Sequence, residues 1–337
     1  MKEAMLFERL EDQKVRCNLC NHRCVIKEGN YGVCGVRQNI GGALYSLVYD
    51  RMILAHVDPI EKKPLFHFYP GSGIYSIATV GCNFACKHCQ NFDISQLPRE
   101  KKGHIIGDRT SPEDIVKDAE HSGCTSIAYT YTEPTVFFEL CFDTAARARK
   151  KGIKNVFVSN GYMTPEALRT ISPYLDAINI DIKAFTGEFY REICGARLEP
   201  VLSTVKLARE LGIWVEVTTL IIPTLNDSVG ELKQIAEFIK GVSPDIPWHI
   251  SQFYPTYQLA DLPRTPLETL SMARGIGIDA GLHYVYEGNI PGRGNENTYC
   301  PRCGALVIER SGYSVKKNLL KDGHCPSCQS SVAGVGL

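Results

Sequence analysis

The sequence predicts an α/β fold built on a parallel sheet, either doubly wound or curled into a barrel. Three observations carry this. Short apolar, β-branched runs start near Ile74, Thr125, Asn155, Ala177, Trp214 and Trp248, with a weaker seventh at His283. Amphipathic segments with helix punctuation separate them, and strand–helix alternation sustained over six or seven units requires parallel pairing. Polar or special-geometry residues follow the runs, at the C-terminal strand ends where either architecture places its ligands.

Taken in order, residues 1–72 are rich in Gly and aromatics, read as irregular, and hold a first cysteine cluster. The run IYSIATV leads into Cys82–Cys89. Ser111-Pro112-Glu113-Asp114 supplies an N-cap, a proline at the first helical position and acidic residues in the first turn, and Gly123 marks the end. TSIAYTY ends in Thr132-Glu133-Pro134, and NVFVS ends in Ser159-Asn160-Gly161. Thr164-Pro165-Glu166 repeats the helix-start signature before AINIDI, which closes on Asp181-Ile182-Lys183. Helices are expected over 200–211, 228–240 and 265–279, around the strands WVEVTTLII and WHISQF. Residues 299–337 form a tail with the pattern YCPRCG…HCPSCQ.

Composition narrows the function. The 337 residues carry 37 Lys+Arg against 37 Asp+Glu, so there is no net charge for a sequence-independent grip on a phosphate backbone. Nucleic-acid binding is not expected, and Lys316, Lys317 and Lys321 are too few to change that. No stretch approaches the ~18 apolar residues a membrane span needs. The opening MKEAMLFERLEDQK mixes acidic and basic residues, unlike a signal or transit peptide, and a cytoplasmic protein is expected.

Cysteine is the outlier. Of 14 cysteines, 11 fall into three clusters: Cys17, Cys20, Cys24 and Cys34; Cys82, Cys86 and Cys89; and Cys300, Cys303, Cys325 and Cys328. Thiols spaced two or three apart in a reducing compartment read as metal ligands. The central C-x3-C-x2-C offers three thiolates on one loop, one short of the four that normally hold a cubane iron–sulfur cluster, which leaves an iron open. A closed zinc site completed by His88 or a remote cysteine, or a cluster of buried thiols, fits the same spacing. The terminal C-P-x-C pair fits one tetrahedral ion, zinc by default and a mononuclear iron as the alternative. The N-terminal four fit zinc or a second iron–sulfur cluster, with His22 a bystander.

The central loop at the end of the first strand resembles the defining motif of the radical S-adenosylmethionine (radical SAM) enzymes, in the branch related to pyruvate formate-lyase-activating enzyme. Tyr131-Thr132-Glu133-Pro134 stands where that family's G-G-E-P segment meets the methionyl amine of SAM, with Tyr131 and Thr132 in place of glycines. Ser159-Asn160-Gly161 and Asp181-Ile182-Lys183 resemble the segments near the ribose and carboxylate. His88 takes the position of an aromatic that packs on adenine. The resemblance implies a partial (β/α)6 TIM-like barrel, a [4Fe-4S] cluster on Cys82, Cys86 and Cys89, and SAM held by His88, Thr132, Glu133, Ser159, Asn160, Asp181 and Lys183. One-electron cleavage of SAM would yield a 5′-deoxyadenosyl radical, with a flavodoxin- or ferredoxin-type reductant. The run Pro59–Phe68, GCNFACKHCQN, Asn289-Ile290-Pro291-Gly292 and the terminal CPxC pair resemble the radical SAM component of the AmmeMemoRadiSam system. That implies AMMECR-type and MEMO-type companions.

The expected organisation is therefore an N-terminal four-cysteine metal-binding module (1–72), a radical SAM core (73–298) and a zinc-ribbon-like tail (299–337). A glycyl-radical-enzyme activase and a non-catalytic multi-zinc scaffold are the competing readings. Cys124 and Cys141 read as small buried residues, whereas Cys194, past the fourth strand, could face the site. The polar run His56, Asp58, Glu61, Lys62, Lys63 and His67 reads as a solvated loop or edge strand, or as a cover over the site's mouth.

Overall fold

The computed structural model describes residues 1–290 and 295–337, so Pro291 and Gly292 of the Asn289–Gly292 segment lie outside the described residues. At its centre is a mixed sheet of eight strands. These are β1 (Leu54–Pro59), β2 (Gly73–Ala78), β3 (Ser126–Tyr129), β4 (Lys154–Ser159), β5 (Ala177–Asp181), β6 (Trp214–Ile221), β7 (Trp248–Gln252) and β8 (Val285–Gly288). Their spatial order follows chain order. There is no reversal of the kind that defines a doubly wound sheet. Strands β2 to β8 pair in parallel, while β1 runs antiparallel along the edge of β2. Two features differ from the expected six-stranded barrel. The weak run at His283 becomes a seventh parallel strand, and the sheet stays open between β1 and β8, with no barrel closed among the described residues.

Among the described residues, six helices of seven residues or more follow the strands: α1 (Pro112–His121), α2 (Phe138–Lys150), α3 (Pro165–Ile171), α4 (Leu198–Glu210), α5 (Val229–Val242) and α6 (Leu267–Asp279). Ser111 caps α1 in a reciprocal capping box with Asp114, and Thr164 and Ser228 cap α3 and α5. Helices α2, α4 and α6 have no side-chain cap, and of these α2 is the one not expected from the sequence. Fully buried Ile127, Phe157, Ile178, Val215 and Ile250 belong to the main core. Burying each such side chain contributes about 1.5–3 kcal/mol before entropy is counted. None of the described helices is long and apolar enough to cross a membrane.

The expected irregularity of residues 1–72 is replaced by two small antiparallel sheets and strand β1. Strands of two to four residues, such as Val15–Cys17 and Arg37–Ile40, are too short to display alternation in the sequence. Buried Arg37 grips Glu139 of α2 through two 2.9 Å bonds and fastens this region to the core. At the other end, Thr298–Tyr299, Leu306–Ser311 and Ser314–Asn318 form a third antiparallel sheet. It packs on Phe66, Tyr284 and Tyr286, and Phe68 bridges Val335.

Candidate active site

The C-terminal ends of the parallel strands surround a cavity of about 390 Å³, within the range for small-molecule sites. Cys82, Cys86 and Cys89 line it together, on the loop that leaves β2. Burial pushes the Cys82 thiol well above its ordinary range, with Glu133 adding to the effect. The Cys86 thiol is also raised, first by its hydrogen bond with Cys194 and then by burial. Cys194 is buried behind Cys86 and is not among the described residues that line the cavity; Ala85 N–H donates to its carbonyl at 2.8 Å. Cys89 lies 3.3 Å from Ser95 Oγ. Three thiols facing one cavity, with no fourth cysteine among its described lining residues, fit a cluster that keeps an open iron.

The residues predicted from consecutive strand ends converge on the same cavity. Glu133, 1% exposed, accepts from Thr135 N–H (3.0 Å), Thr135 Oγ1 (2.5 Å), Ser159 Oγ (2.8 Å) and Asn160 N–H (2.8 Å). Burial raises its carboxyl, and these donors pull it part of the way back. Asn160 in turn donates to Asn83 Oδ1 at 2.7 Å and touches Cys82 Sγ at 3.8 Å, so one hydrogen-bond chain links β3, β4 and the thiol loop. Thr132 Oγ1 donates to the Thr79 carbonyl at 2.9 Å. Lys183 Nζ lies 2.9 Å from Asp181. Burial works against the Lys183 charge, but Asp181, Cys86 and Cys194 outweigh it and hold the ammonium well above its usual range. His88 is buried with Nδ1 unpartnered among the described residues, and desolvation pushes it down to about 3. A neutral ring there suits packing against a flat ligand.

The polar run resolves by position. His56 is exposed on the edge strand, whereas Glu61, Lys62 and Lys63 line the cavity. Asp58 binds Lys62 (2.9 Å), Lys63 (2.6 Å) and the Tyr131 hydroxyl (2.6 Å). Tyr131, which replaces a glycine of the resembled motif, is thereby used as a brace. His67 faces away from the cavity, into the contact with the tail, where its Nδ1 lies 2.7 Å from the Ala333 carbonyl.

Two further thiol groups flank the cavity. In the tail, Cys300–Cys328 and Cys303–Cys325 stand 3.6 and 3.7 Å apart, and all four sulfurs fall within 4.8 Å of one another. Four thiolates bound tetrahedrally at ~2.3 Å would be separated by about 3.8 Å, so this set has the dimensions of one ion. Cys17, Cys20, Cys24 and Cys34 line a separate small cavity of about 20 Å³ with Leu19, Ile26 and Asn83. Burial pushes Cys34 up to about 11 and raises Cys20 well above its ordinary range. His22, on its wall, is engaged by the Asn83 carbonyl at 2.8 Å. Asn83 thus borders both thiol sites.

The cavity also holds residues that motif reading passes over. His249 lines it mid-strand, and Glu216, behind it and not on the cavity wall, pairs with it at 2.6 Å; both are buried. The available signal was a charged side chain inside WVEVTTLII, because a parallel strand covered on both faces normally reads as continuously apolar.

A singly wound α/β sheet with three thiols on the loop after its first parallel strand describes a known class. The model of the radical SAM superfamily matches residues 76–239, and the chain belongs to that superfamily. An uncharacterized protein of Methanocaldococcus jannaschii is 50% identical over 94% of this chain and 93% of its own. The pyruvate formate-lyase-activating enzyme of Clostridium pasteurianum is 23% identical over 57% of this chain and 79% of its own. Among solved structures, a radical SAM methyltransferase from Sphaerobacter thermophilus aligns with a TM-score of 0.51, at 14% identity over 71% of each chain. At that identity the likeness concerns the fold.

Proposed function

We propose that this chain is an AmmeMemoRadiSam-type radical SAM enzyme that works in the cytoplasm on a protein or small-molecule substrate. The core (73–298) carries the chemistry, and the flanking modules (1–72 and 299–337) carry further metal sites. Cys82, Cys86 and Cys89 would hold a [4Fe-4S] cluster, and Glu133, Ser159, Asn160, Asp181, Lys183, Thr132 and His88 would hold SAM. When bound, this pair supplies one-electron cleavage of SAM to methionine and a 5′-deoxyadenosyl radical. The electron would come from a flavodoxin- or ferredoxin-type donor, and AMMECR-type and MEMO-type proteins would be the companions.

The chain's own part is placement and exclusion. Asp181 and Lys183 offer an opposed charge pair for the zwitterionic end of an amino acid. The Glu133–Ser159–Asn160 network fixes the strand ends at which that ligand would lie. The loop from Glu61 to Phe66 walls the cavity on the side of β1 and restricts water. The observation that carries the reading is the convergence of three thiols and three consecutive strand-end motifs on one cavity.

Anaerobic reconstitution followed by iron and sulfide counts, with a dithionite-driven assay for 5′-deoxyadenosine, tests it. Cys86→Ala is expected to abolish product formation, and retained SAM cleavage would sink the assignment. Similarity to an activating enzyme favours a second reading, a glycyl-radical activase. It requires hydrogen abstraction from a backbone glycine of a large partner enzyme.

A further inference from the structure

Registered pairing places Asp181, Thr218, His249 and Tyr286 side by side in one row across β5 to β8. All four line the cavity. Strand alternation puts Glu216 on the same face, one layer deeper than Thr218. Glu216 is fully buried and accepts four hydrogen bonds: from Phe66 N–H (3.0 Å), His67 N–H (2.8 Å), Trp214 Nε1 (3.0 Å) and His249 Nε2 (2.6 Å). With both oxygens committed to donors, Glu216 is ionised, and the His249 pair holds it below the usual carboxylate range against the opposing effect of burial.

That arrangement selects the tautomer of His249. Three of the donors are fixed N–H groups, so the fourth contact also has to be an N–H, and the neutral ring carries its proton on Nε2. Nδ1 is then a bare acceptor with no hydrogen-bond donor among the described residues. The ring cannot easily turn, because Phe66 meets it edge-on at 4.7 Å and Tyr286 stacks on it at 5.3 Å.

We propose that His249 is an acid–base residue of this cavity, with Glu216 as its positioning residue. Nδ1 accepts a proton from an O–H or N–H of the substrate. The substrate's X–H bond breaks with its electron pair left on X, an N–H bond forms on Nδ1, and Glu216 balances the imidazolium charge. The proton returns to the product before release, so no oxidant or reductant enters this step. The substrate class is therefore a molecule whose O–H or N–H donor can lie beside the carbon that loses hydrogen. This rests on the radical SAM reading for the identity of the cavity, whereas the tautomer rests on geometry alone.

Diethyl pyrocarbonate, which acylates unprotonated imidazole nitrogen, is a probe that needs no substrate. Treating the full-length reconstituted protein and mapping adducts by mass spectrometry should mark His249 as well as exposed His56 and His121. In Glu216→Gln the side-chain amide donates to Nε2 and drives the proton to Nδ1. Acylation of His249 is then expected to fall at least about tenfold, by the logic of a lost orienting carboxylate. Nitrogen-15 spectra of the wild-type chain, which need no variant to fold, should show the proton on Nε2. A proton on Nδ1 overturns the proposal, as does a wild-type His249 that stays unmodified while His56 reacts, or equal acylation in both proteins. Deoxyadenosine formation measured on the same wild-type sample separates the outcomes: its absence overturns the family-level reading, and leaves the tautomer result standing.

Discussion

Glu133 accepts from four donors, two of them the N–H groups of Thr135 and Asn160, so its charge is tied to the placement of Ser159 and Asn160. Glu133→Gln would set an amide N–H against at least one of those donors. The cost of leaving a buried donor unpaired is about 1–3 kcal/mol. A lowered denaturation midpoint is expected, together with weakened SAM binding by calorimetry on the reconstituted protein. Unchanged stability and affinity would mean that the network does not position the strand ends. The Arg37–Glu139 pair tests the same principle away from the cavity. Both side chains are essentially unexposed, so Glu139→Gln leaves a guanidinium charge without compensation in the interior. Breaking one half of such a pair typically costs about 3–5 kcal/mol, whereas replacing both halves by apolar residues is often neutral. Glu139→Gln should therefore destabilise the fold far more than the double change Arg37→Met with Glu139→Leu, as read by urea unfolding. Equal losses would show that the charges are not what fastens the N-terminal module.

Helix α6 packs so closely that one glycine reverses the usual propensity argument. A Cβ at Gly277 would meet the Trp248 ring and Val285 Cγ2, each at 2.9 Å. Alanine in a helix interior is worth about 1 kcal/mol over glycine, but overpacking costs about 1–3 kcal/mol. Gly277→Ala is expected to lower thermal stability, while Gly275→Ala, which meets nothing within 4 Å, should raise it. The opposite order would mean that α6 can shift away from β7 and β8. The same level explains what was legible in the sequence. Helices with Ser or Thr caps were readable because their termini are written locally. α2 was not, because its start is set by the turn at Pro134–Phe137, capped by Glu133 inside a strand-end motif; α4 and α6 also lack a capping side chain but stand as separate segments between strands. Strand β8 reads weakly because two of its four residues are Glu287 and Gly288, which interrupt the apolar run. The three thiols and the strand-end motifs were visible because chemistry constrains their spacing. The Glu216–His249 pair was not, since its meaning depends on a register between strands about 30 residues apart in the chain.

The whole molecule depends on what spans the gap between β1 and β8, and the tail does this through a directed chain of polar contacts. Arg310 Nη1 donates to Thr298 Oγ1 (2.7 Å), Thr298 pairs with the Tyr286 hydroxyl (2.8 Å), Tyr286 meets His67 Nε2 (2.5 Å), and His67 Nδ1 reaches the Ala333 carbonyl (2.7 Å). Arg310 also donates to the Phe66 carbonyl at 2.7 Å and lies 3.6 Å from Glu61. Its guanidinium stands 4.5 Å from the Phe66 ring centre. The tail is therefore more than a staple beside the sheet, because it reaches the loop that carries Glu61 and Phe66 into the cavity wall. Cys325→Ala should lower stability and loosen that loop in hydrogen exchange while the iron content of the central site stays the same. Loss of that iron would place the tail in the cluster's own support. Acid should act on the same contact. The chain requires a neutral His67, which donates from Nδ1 and accepts at Nε2, and burial pushes its pKa down to about 4 against the opposing pull of Glu216. The unfolded ring titrates near 6.5, so between those values the unfolded state binds more protons than the folded one. Stability from this group is then fully present above pH 6.5 and is lost as the pH falls toward 4, by about 3 kcal/mol in all. Thiolate and carboxylate protonation adds its own acid dependence, so the informative quantity is the difference between wild type and His67→Gln. Glutamine can donate to Ala333 and accept from Tyr286 without titrating, and its unfolding free energy should fall less steeply over that interval. Identical slopes in the two proteins would show that His67 is not the group through which acid undoes the tail's hold on the core.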